Sequence, residues 1–245
     1  MMTRHLVATV GTVFLAATAA ESQAAMDVTI GGVSLTPAAS ATWSTPDAAN
    51  PLLHVLNNPV TWSTADGLSS FKVDSGLTQW DPDPSLVFSA SATNDTGSAQ
   101  TYLFTFSAPL SPNLLGTVAS HAQLGVTLTD GGDGVVSLSP AGGLFMLTSY
   151  DQYADTTQVS KNVDLVNAPI TVEGLSAYAK DSSLICAQNC TTMYATLSFT
   201  LSAGDSVGFS GKITQTAVPL PAAGLLFGSS LLGLFGIGRR RKLSA

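Results

Sequence analysis

Apart from its aspartates, residues 26–217 of this sequence hold few side chains suited to acid–base catalysis. That stretch holds two histidines, His54 and His121, and one glutamate, Glu173. Ser120 stands beside His121, but the Gly-x-Ser-x-Gly arrangement that exposes a nucleophilic serine on a sharp turn is absent. Two histidines far apart in sequence also fall short of the three protein ligands of a catalytic zinc site. The sequence therefore favours a protein that is not an enzyme.

A carboxylate pair and three tryptophans are the residues best suited to sugar chemistry. Asp81 and Asp83 follow Trp80 in the segment WDPDP, and Trp43 and Trp62 precede it. Aromatic faces beside carboxylates suit stacking on sugar rings and hydrogen bonds to their hydroxyls, which predicts a glycan-contact set of these five residues. Core packing of the tryptophans is the alternative. A glycosidase is less favoured, because its two carboxyl groups must face each other across the substrate.

The Gly-rich segment 130–134, with the sequence DGGDG, carries two more carboxylates. Oxygen ligands on a flexible turn suit Ca²⁺, so Asp130 and Asp133 are candidate calcium ligands to which Asp151 and Asp155 could add. The segment lacks the twelve-residue spacing of an EF-hand, and a plain turn between strands is the alternative. We expect no other metal or cofactor.

Cys186 and Cys190 are the only cysteines of the chain. If the protein is exported, such a pair without a competitor is most simply a disulfide that closes a tight loop. Zinc binding would need two further ligands, and no histidine lies nearby in sequence. A redox pair would normally have two residues between its cysteines rather than three.

The charge of the central region disfavours one class of partner. Residues 26–217 contain four lysines, no arginine and fifteen acidic residues, which gives a net charge of −11. Such a surface repels a phosphate backbone, so we expect no nucleic-acid partner. Acidic, lysine-poor surfaces are also common in secreted proteins, where they keep the protein soluble.

Hydrophobic periodicity in the same region is that of strands. Alternating residues between 193 and 201 and again between 207 and 213 predict two strands joined as a hairpin with Gly204 in the turn. The runs 122–129 and 135–139 predict another hairpin around the segment 130–134. Many short runs of this kind, divided by Gly, Pro, Asn and Asp, and no convincing helical stripe predict an all-β antiparallel sandwich, jelly-roll-like, with a barrel as the less favoured alternative.

The N-terminus is typical of a signal peptide over residues 1–25. Arg4 precedes an apolar run from residue 6 to about residue 20, and Ser22 and Ala24 have the small side chains that signal peptidase requires. We expect cleavage after Ala24 or Ala25, which leaves residues 26–217 as one exported domain. An uncleaved membrane helix is disfavoured, since the run is short.

The C-terminal region, residues 218–245, has the organisation of a membrane signal. Val218, Pro219, Leu220, Pro221 and Ala222 open it, and residues 222–238 carry no charge. As a helix that segment would be roughly 26 Å long, which just spans a thin bilayer. The cationic cluster Arg239, Arg240, Arg241 and Lys242 follows and would stay on the cytoplasmic side, so the domain faces outward. A buried C-terminal helix would not be followed directly by four cations.

These C-terminal residues resemble the PEP-CTERM sorting tails of Gram-negative surface proteins, in the variant named for its Val-Pro-Leu-Pro-Ala opening. Leu220 occupies the place of the glutamate in the commonest form of the family. The resemblance implies recognition by an exosortase, a membrane-embedded protease, and delivery to the cell surface or the exopolysaccharide matrix. We therefore expect a surface protein with a structural or adhesive role, and alternatively a carbohydrate-binding module of the matrix.

Overall fold

The computed structural model describes residues 24–143, 145–153 and 159–218, and these residues form an all-β protein. The strands are β1 (Ala25–Ile30), β2 (Val33–Leu35), β3 (Trp43–Ser44), β4 (His54–Leu56), β5 (Val60–Ser63), β6 (Ser69–Val73), β7 (Gln79–Asp81), β8 (Ser85–Asn94), β9 (Gln100–Thr129), β10 (Leu138–Pro140), β11 (Leu147–Tyr153), β12 (Val159–Leu165), β13 (Gly174–Leu201) and β14 (Ser206–Ala217). A single 3₁₀ turn, Ala141–Gly143, interrupts them. All the strand pairs are antiparallel, which confirms the predicted class.

The paired strands form one continuous array that is folded over on itself into two layers. Along the main path the order is β12-β11-β13-β9-β14-β8-β7-β4-β3. Sheet I consists of β1, β2, β10, β11 and β12 with residues 100–109 of β9 and 192–201 of β13. Sheet II consists of β3 to β8 and β14 with residues 114–129 of β9 and 174–186 of β13.

Aromatic contacts show that the two sheets pack face to face. Phe104 of sheet I lies 4.8 Å from Phe71 and 5.9 Å from Phe88 of sheet II, measured between ring centroids. Phe199 of sheet I lies 4.8 Å from Phe209 of sheet II, with the two rings tilted by 50°. Rings at these separations attract one another and bury a large apolar area, so they form the centre of a β-sandwich core.

The two longest strands carry the chain from one sheet into the other. Strands β9 and β13 pair along nearly their whole lengths, and the register is irregular around Cys186, Cys190 and Thr192. The predicted disulfide between Cys186 and Cys190 is present, with a Cα–Cα distance of 5.8 Å. Because three residues between the cysteines have no partner in β9, the disulfide closes a bulge at the point where β13 bends.

Alternation along each strand decides which side chains enter the core. In β14 the inward positions include Phe209, Gly211 and Ile213, as expected from the sequence pattern. Position 211 requires glycine, because a Cβ there would lie 2.0 Å from the ring of Phe88. A glycine on one strand therefore makes room for a phenylalanine on its neighbour.

Both predicted hairpins are wrong, and for the same reason. The run 193–201 pairs with β9 and β11 in sheet I, whereas β14 pairs with β8 and β9 in sheet II, so the turn at Gly204 connects two facing sheets. Residues 122–129 likewise belong to sheet II, while β10 pairs with β13 in sheet I. Alternation of apolar residues predicts a buried face but does not say which strand is the hydrogen-bonded neighbour.

Candidate ligand-binding groove

The outward face of sheet II contains an open groove of about 730 Å³. The exposed side chains at the groove come from β13, β9, β14 and β8 and from the loop between β6 and β7. A depression of this size is in the usual range for small-molecule and oligomer-binding sites. The groove is therefore the first place to look for a bound ligand.

Four small residues on adjacent strands form the floor of the groove. Ala177 pairs with Gly125, Gly125 with Ser210, and Ser210 with Ser89. A Cβ on Gly125 would approach the hydroxyl oxygen of Ser210 to 2.5 Å, so the floor is low because no side chain stands there. Since neighbouring strands lie about 4.8 Å apart, the floor crosses the strands for roughly 14 Å.

Larger residues on the neighbouring rows form the walls. One wall consists of Ala179, Gln123, Lys212 and Val87, which are cross-strand partners in that order. On the other side Leu175 stands opposite Thr127 and is 78 % exposed. Leu77, in the loop after β6, is 66 % exposed and lies at the β8 end. The groove thus offers apolar surface at its margins and amide, ammonium and hydroxyl groups along its length.

Paired polar side chains occupy both ends of this face. At the β8 end the hydroxyl of Ser89 donates a hydrogen bond to Asp74 at 3.2 Å, and Lys72 pairs with the same carboxylate at 2.8 Å. At the β13 end Nδ1 of His121 lies 2.6 Å from a carboxylate oxygen of Asp181. Ser120 is buried on the opposite side of its strand from His121, so the two side chains cannot act together as nucleophile and base.

The tryptophans predicted to contact a glycan lie mostly in the core. Trp62 and Trp80 are 1 % and 4 % exposed, and Trp80 stacks on His54 at 4.1 Å. Trp43 is half-buried and stacks at 5.9 Å on Phe106. The prediction of glycan contact is therefore wrong for Trp62 and Trp80, because rings buried against other rings cannot meet a sugar, and it stays a prediction for Trp43.

Asp81 and Asp83 lie in a turn that hydrogen bonds from Asp81 stabilise. The carboxylate of Asp81 accepts hydrogen bonds from the side-chain amide of Asn50 at 2.9 Å and from the backbone N–H of Asp83 at 3.0 Å. Both aspartates lie on one short segment, and neither lines the groove. The first carboxylate holds a turn after β7, which accounts for its position without catalysis.

The predicted calcium ligands Asp130 and Asp133 meet a third carboxylate that the sequence did not indicate. Asp205, from the turn between β13 and β14, has an oxygen within 4.8 Å of an oxygen of each. Backbone N–H groups of Gly131, Gly132, Gly134 and Val135 donate to these three side chains, and Ser202 donates to Asp205. The carboxylates thus already fix the loop through its amides, and Asp151 lies elsewhere in the molecule.

Asp151 is fully buried beside the disulfide. One carboxylate oxygen accepts a hydrogen bond from the side-chain amide of Gln215 at 2.8 Å, and the other has no hydrogen-bond partner within the described ranges. Burial raises the pKa of Asp151 to about 7, and the bond from Gln215 lowers it in part. Oxygen and sulfur atoms of Asp151, Cys186 and Cys190 lie within 4.8 Å of one another, but the disulfide occupies both sulfurs.

The predicted targeting signals lie mainly outside the described residues. Ala24 is buried, Ala25 begins β1, and residues 1–23 are not described. Val218 donates its backbone N–H to Thr117 at 2.9 Å, so the first residue of the sorting motif adjoins the end of β14. Pro219 to Ala222, the apolar segment 222–238 and the cluster Arg239 to Lys242 lie beyond it. Within the described ranges no helix is long and apolar enough to cross a membrane.

Comparison with known proteins gives only distant structural likenesses. No protein-family model and no curated protein matches the sequence. Among solved structures, the CBM22-1–GH10 modules of xylanase 10B from Clostridium thermocellum with xylohexaose are 13 % identical, with 55 % of this chain and 23 % of that chain covered and a TM-score of 0.30. This chain thus spans less than a quarter of that structure.

Two further solved structures are shorter and more completely covered. The CBM22-1 xylan-binding domain of Paenibacillus barcinonensis Xyn10C is 14 % identical, covers 74 % of this chain and 99 % of its own, and has a TM-score of 0.30. TmCBM61 with β-1,4-galactotriose is 9 % identical, covers 61 % and 88 %, and has a TM-score of 0.27. With TM-scores this low, none of these structures contributes to the argument about function.

Proposed function

We propose that this chain is an exported, non-catalytic surface protein whose jelly-roll-like sandwich binds a polysaccharide of the cell surface or extracellular matrix. The observation that carries the proposal is the groove on the outward face of sheet II, with its floor of small residues in register across four strands. An extended sugar chain lying across the strands could place its rings on that floor. Gln123, Ser210 and Ser89 border it and can exchange hydrogen bonds with sugar hydroxyls.

Among the described residues that line the groove, the ionisable ones are Tyr178 and Lys212, which are not the two carboxyl groups that glycoside hydrolysis uses. The nearest candidate, the pair of His121 and Asp181, lies at one end and is not matched by a second carboxylate facing it across the floor. Glycoside hydrolysis requires two such groups on opposite sides of the bond. Asp74 at the other end is already paired with Lys72.

Export and sorting belong to the same proposal and rest on the sequence. A signal peptide over residues 1–25 would direct the chain across the inner membrane, and the segment 222–238 with Arg239 to Lys242 would hold it there with the domain outside. An exosortase-type protease would then release it at the motif that begins at Val218. The protein's structural or adhesive role would follow from polysaccharide binding after release.

Filling the groove tests the binding function. We expect Ser210→Leu to weaken polysaccharide binding at least tenfold in affinity electrophoresis, because a leucine would stand on the floor between Gly125 and Ser89. Thr105→Leu, on the outward face of sheet I, is the matched control and should bind normally. Equal binding by wild type and Ser210→Leu, or no binding to any polysaccharide of a broad panel, would contradict the proposal.

Fractionation tests sorting separately. A tagged chain should accumulate in the inner membrane of cells that lack the exosortase and should reach the surface or medium in cells that have it. Replacement of Arg239, Arg240, Arg241 and Lys242 by serine should disturb retention, because the positive cluster is what stops transfer of the segment. An unprocessed cytosolic protein would contradict the export part of the proposal, but it would not bear on ligand binding in the groove.

A further inference from the structure

Lys212 stands in one wall of the groove, without an ion-pair partner among the described residues. It is an exposed residue of β14, and its cross-strand neighbours on the outward face are Gln123 and Val87. Along its own strand the outward neighbours are Ser210 and Thr214. All four are neutral, and Lys212 makes no ion pair or hydrogen bond in the described part of the chain.

The other lysines with described side chains are engaged. Lys72 pairs with Asp74 at 2.8 Å, and Lys180 donates to the backbone carbonyl of Asp164 at 3.3 Å. In a region with fifteen acidic residues and four lysines, an exposed lysine would be expected to have a carboxylate nearby. Lys212 instead has no carboxylate within ion-pair distance among the described residues.

The carboxylates at the two ends of this face also have hydrogen-bonding or ion-pair partners of their own. Asp74, at one end, accepts from both Lys72 and Ser89, and Asp181, at the other end, pairs with His121. The wall of the groove formed by Lys212 and Gln123 therefore carries one positive charge without an ion-pair partner, on a domain whose net charge is strongly negative. Repulsion elsewhere and attraction here favour an anionic ligand whose charge lies in the groove.

We propose that the groove binds an acidic polysaccharide and that a uronate carboxylate of this polymer pairs with the ammonium group of Lys212. The inference rests on the proposed polysaccharide-binding function and names its ligand class. Uronate fits better than a more highly charged group, because a single lysine supplies one charge and a carboxylate balances it. Gln123 and Ser210, on either side of Lys212, contact the hydroxyls of the same sugar or the next one.

The test compares charged and neutral forms of one polymer. Full-length protein in detergent micelles is titrated with polygalacturonate, with alginate and with carboxyl-reduced polygalacturonate, at low and at physiological salt. We expect about tenfold tighter binding to a uronate polymer than to the reduced polymer at low salt, which corresponds to about 1.4 kcal/mol, and a smaller preference at physiological salt.

Two variants each remove one lysine charge, the first inside the groove and the second outside it. Lys212→Met should lose the preference for the uronate polymer and keep its binding to the reduced polymer. Lys180→Met, outside the groove, should behave as wild type. Thermal unfolding of both variants establishes that each is folded, and an unfolded Lys212→Met would be replaced by Lys212→Gln.

The outcomes separate this inference from the function on which it rests. Binding to the reduced polymer with no loss of uronate preference in Lys212→Met overturns the inference and leaves polysaccharide binding in place. An equal preference for a sulfated polymer of the same backbone overturns it too, because it shows attraction without selection of carboxylates. No binding to any of these polymers, with Ser210→Leu indistinguishable from wild type, contradicts both proposals.

Discussion

The outward faces of the two sheets differ in the size of the side chains that lie along one cross-strand row. On sheet I the residues Thr105, Thr196 and Thr148 are in register on three strands, and Tyr150 stacks on Tyr194 at 4.7 Å beside them. On sheet II the row with Ala177, Gly125, Ser210 and Ser89 has almost no side-chain volume.

This comparison shows how a groove forms on the face of a β-sheet. β-Branched residues in register fill the space above the strands evenly and give a flat face. Small residues in register remove a whole row and leave a channel across the strands. Side-chain size along a cross-strand row distinguishes the two faces.

The largest expected effect is on the pH dependence of stability, and it comes from one hydrogen bond between the two sheets. Asp151 of sheet I and Gln215 of sheet II form a buried hydrogen bond, and the pKa of Asp151 is raised to about 7. From about pH 4 to 7 the folded protein holds a proton that the unfolded chain has released, so stability falls as the pH rises through this window. The loss is up to about 4 kcal/mol, since each pKa unit corresponds to about 1.4 kcal/mol.

Asp151→Asn should remove this dependence, because an amide keeps the bond to Gln215 and does not ionise. Urea unfolding at pH 5 and pH 8 should show a smaller difference for the variant than for wild type, and Asp133→Asn, at an exposed position, is the control. Binding in the groove should be unaffected, since the side chain reaches neither outward face. An identical pH dependence in wild type and Asp151→Asn would contradict the assignment.

Local features of the fold could be predicted from the sequence, because each depends on a few neighbouring residues. The alternation over 193–201 and 207–213 identifies buried strands, and the pair Cys186 and Cys190 indicates a disulfide. The hairpin joining those strands is wrong because Phe199 and Phe209 pack against each other from opposite sheets. Alternation of apolar residues predicts which face of a strand is buried, but it does not predict which strand pairs with it.

The groove could not be predicted, because its floor is assembled from residues 89, 125, 177 and 210, which are remote in sequence and unremarkable one at a time. Their significance comes only from the register of four strands. The tryptophans are the opposite case, since large aromatic residues are easily recognised in a sequence. Their size also explains why Trp62 and Trp80 are in the core.

Breaking the aromatic pair on the flat face tests whether that face also binds. Tyr194→Leu removes the stacking on Tyr150 and the hydrogen bond from the Tyr194 hydroxyl to Gln152 at 2.6 Å, and we expect it to lower the free energy of unfolding by about 1 kcal/mol. Polysaccharide affinity should stay the same. A tenfold loss of affinity, with the fold intact by circular dichroism, would move the binding surface from the groove to sheet I.

The smallest expected effect concerns calcium. Asp130 and Asp205 lie on two connections that each pass from one sheet to the other, and Asp133 completes the cluster at the rim of the sandwich. A bound ion would tie these connections together, and at a calcium concentration equal to the dissociation constant the gain is about 0.4 kcal/mol. We expect a rise in Tm of about 1 °C that is abolished by chelator and by Asp133→Asn.

If calcium binds at the rim, it would give a second route to an acidic polymer, because the ion would bridge carboxylates of the protein and of the ligand. The two routes differ in what disrupts them. Binding through Lys212 should persist in chelator and weaken with sodium chloride, whereas binding through an ion should vanish in chelator and survive Lys212→Met. Retention of uronate preference by Asp133→Asn in chelator would therefore confine recognition to the groove, and its loss there would assign recognition to the rim.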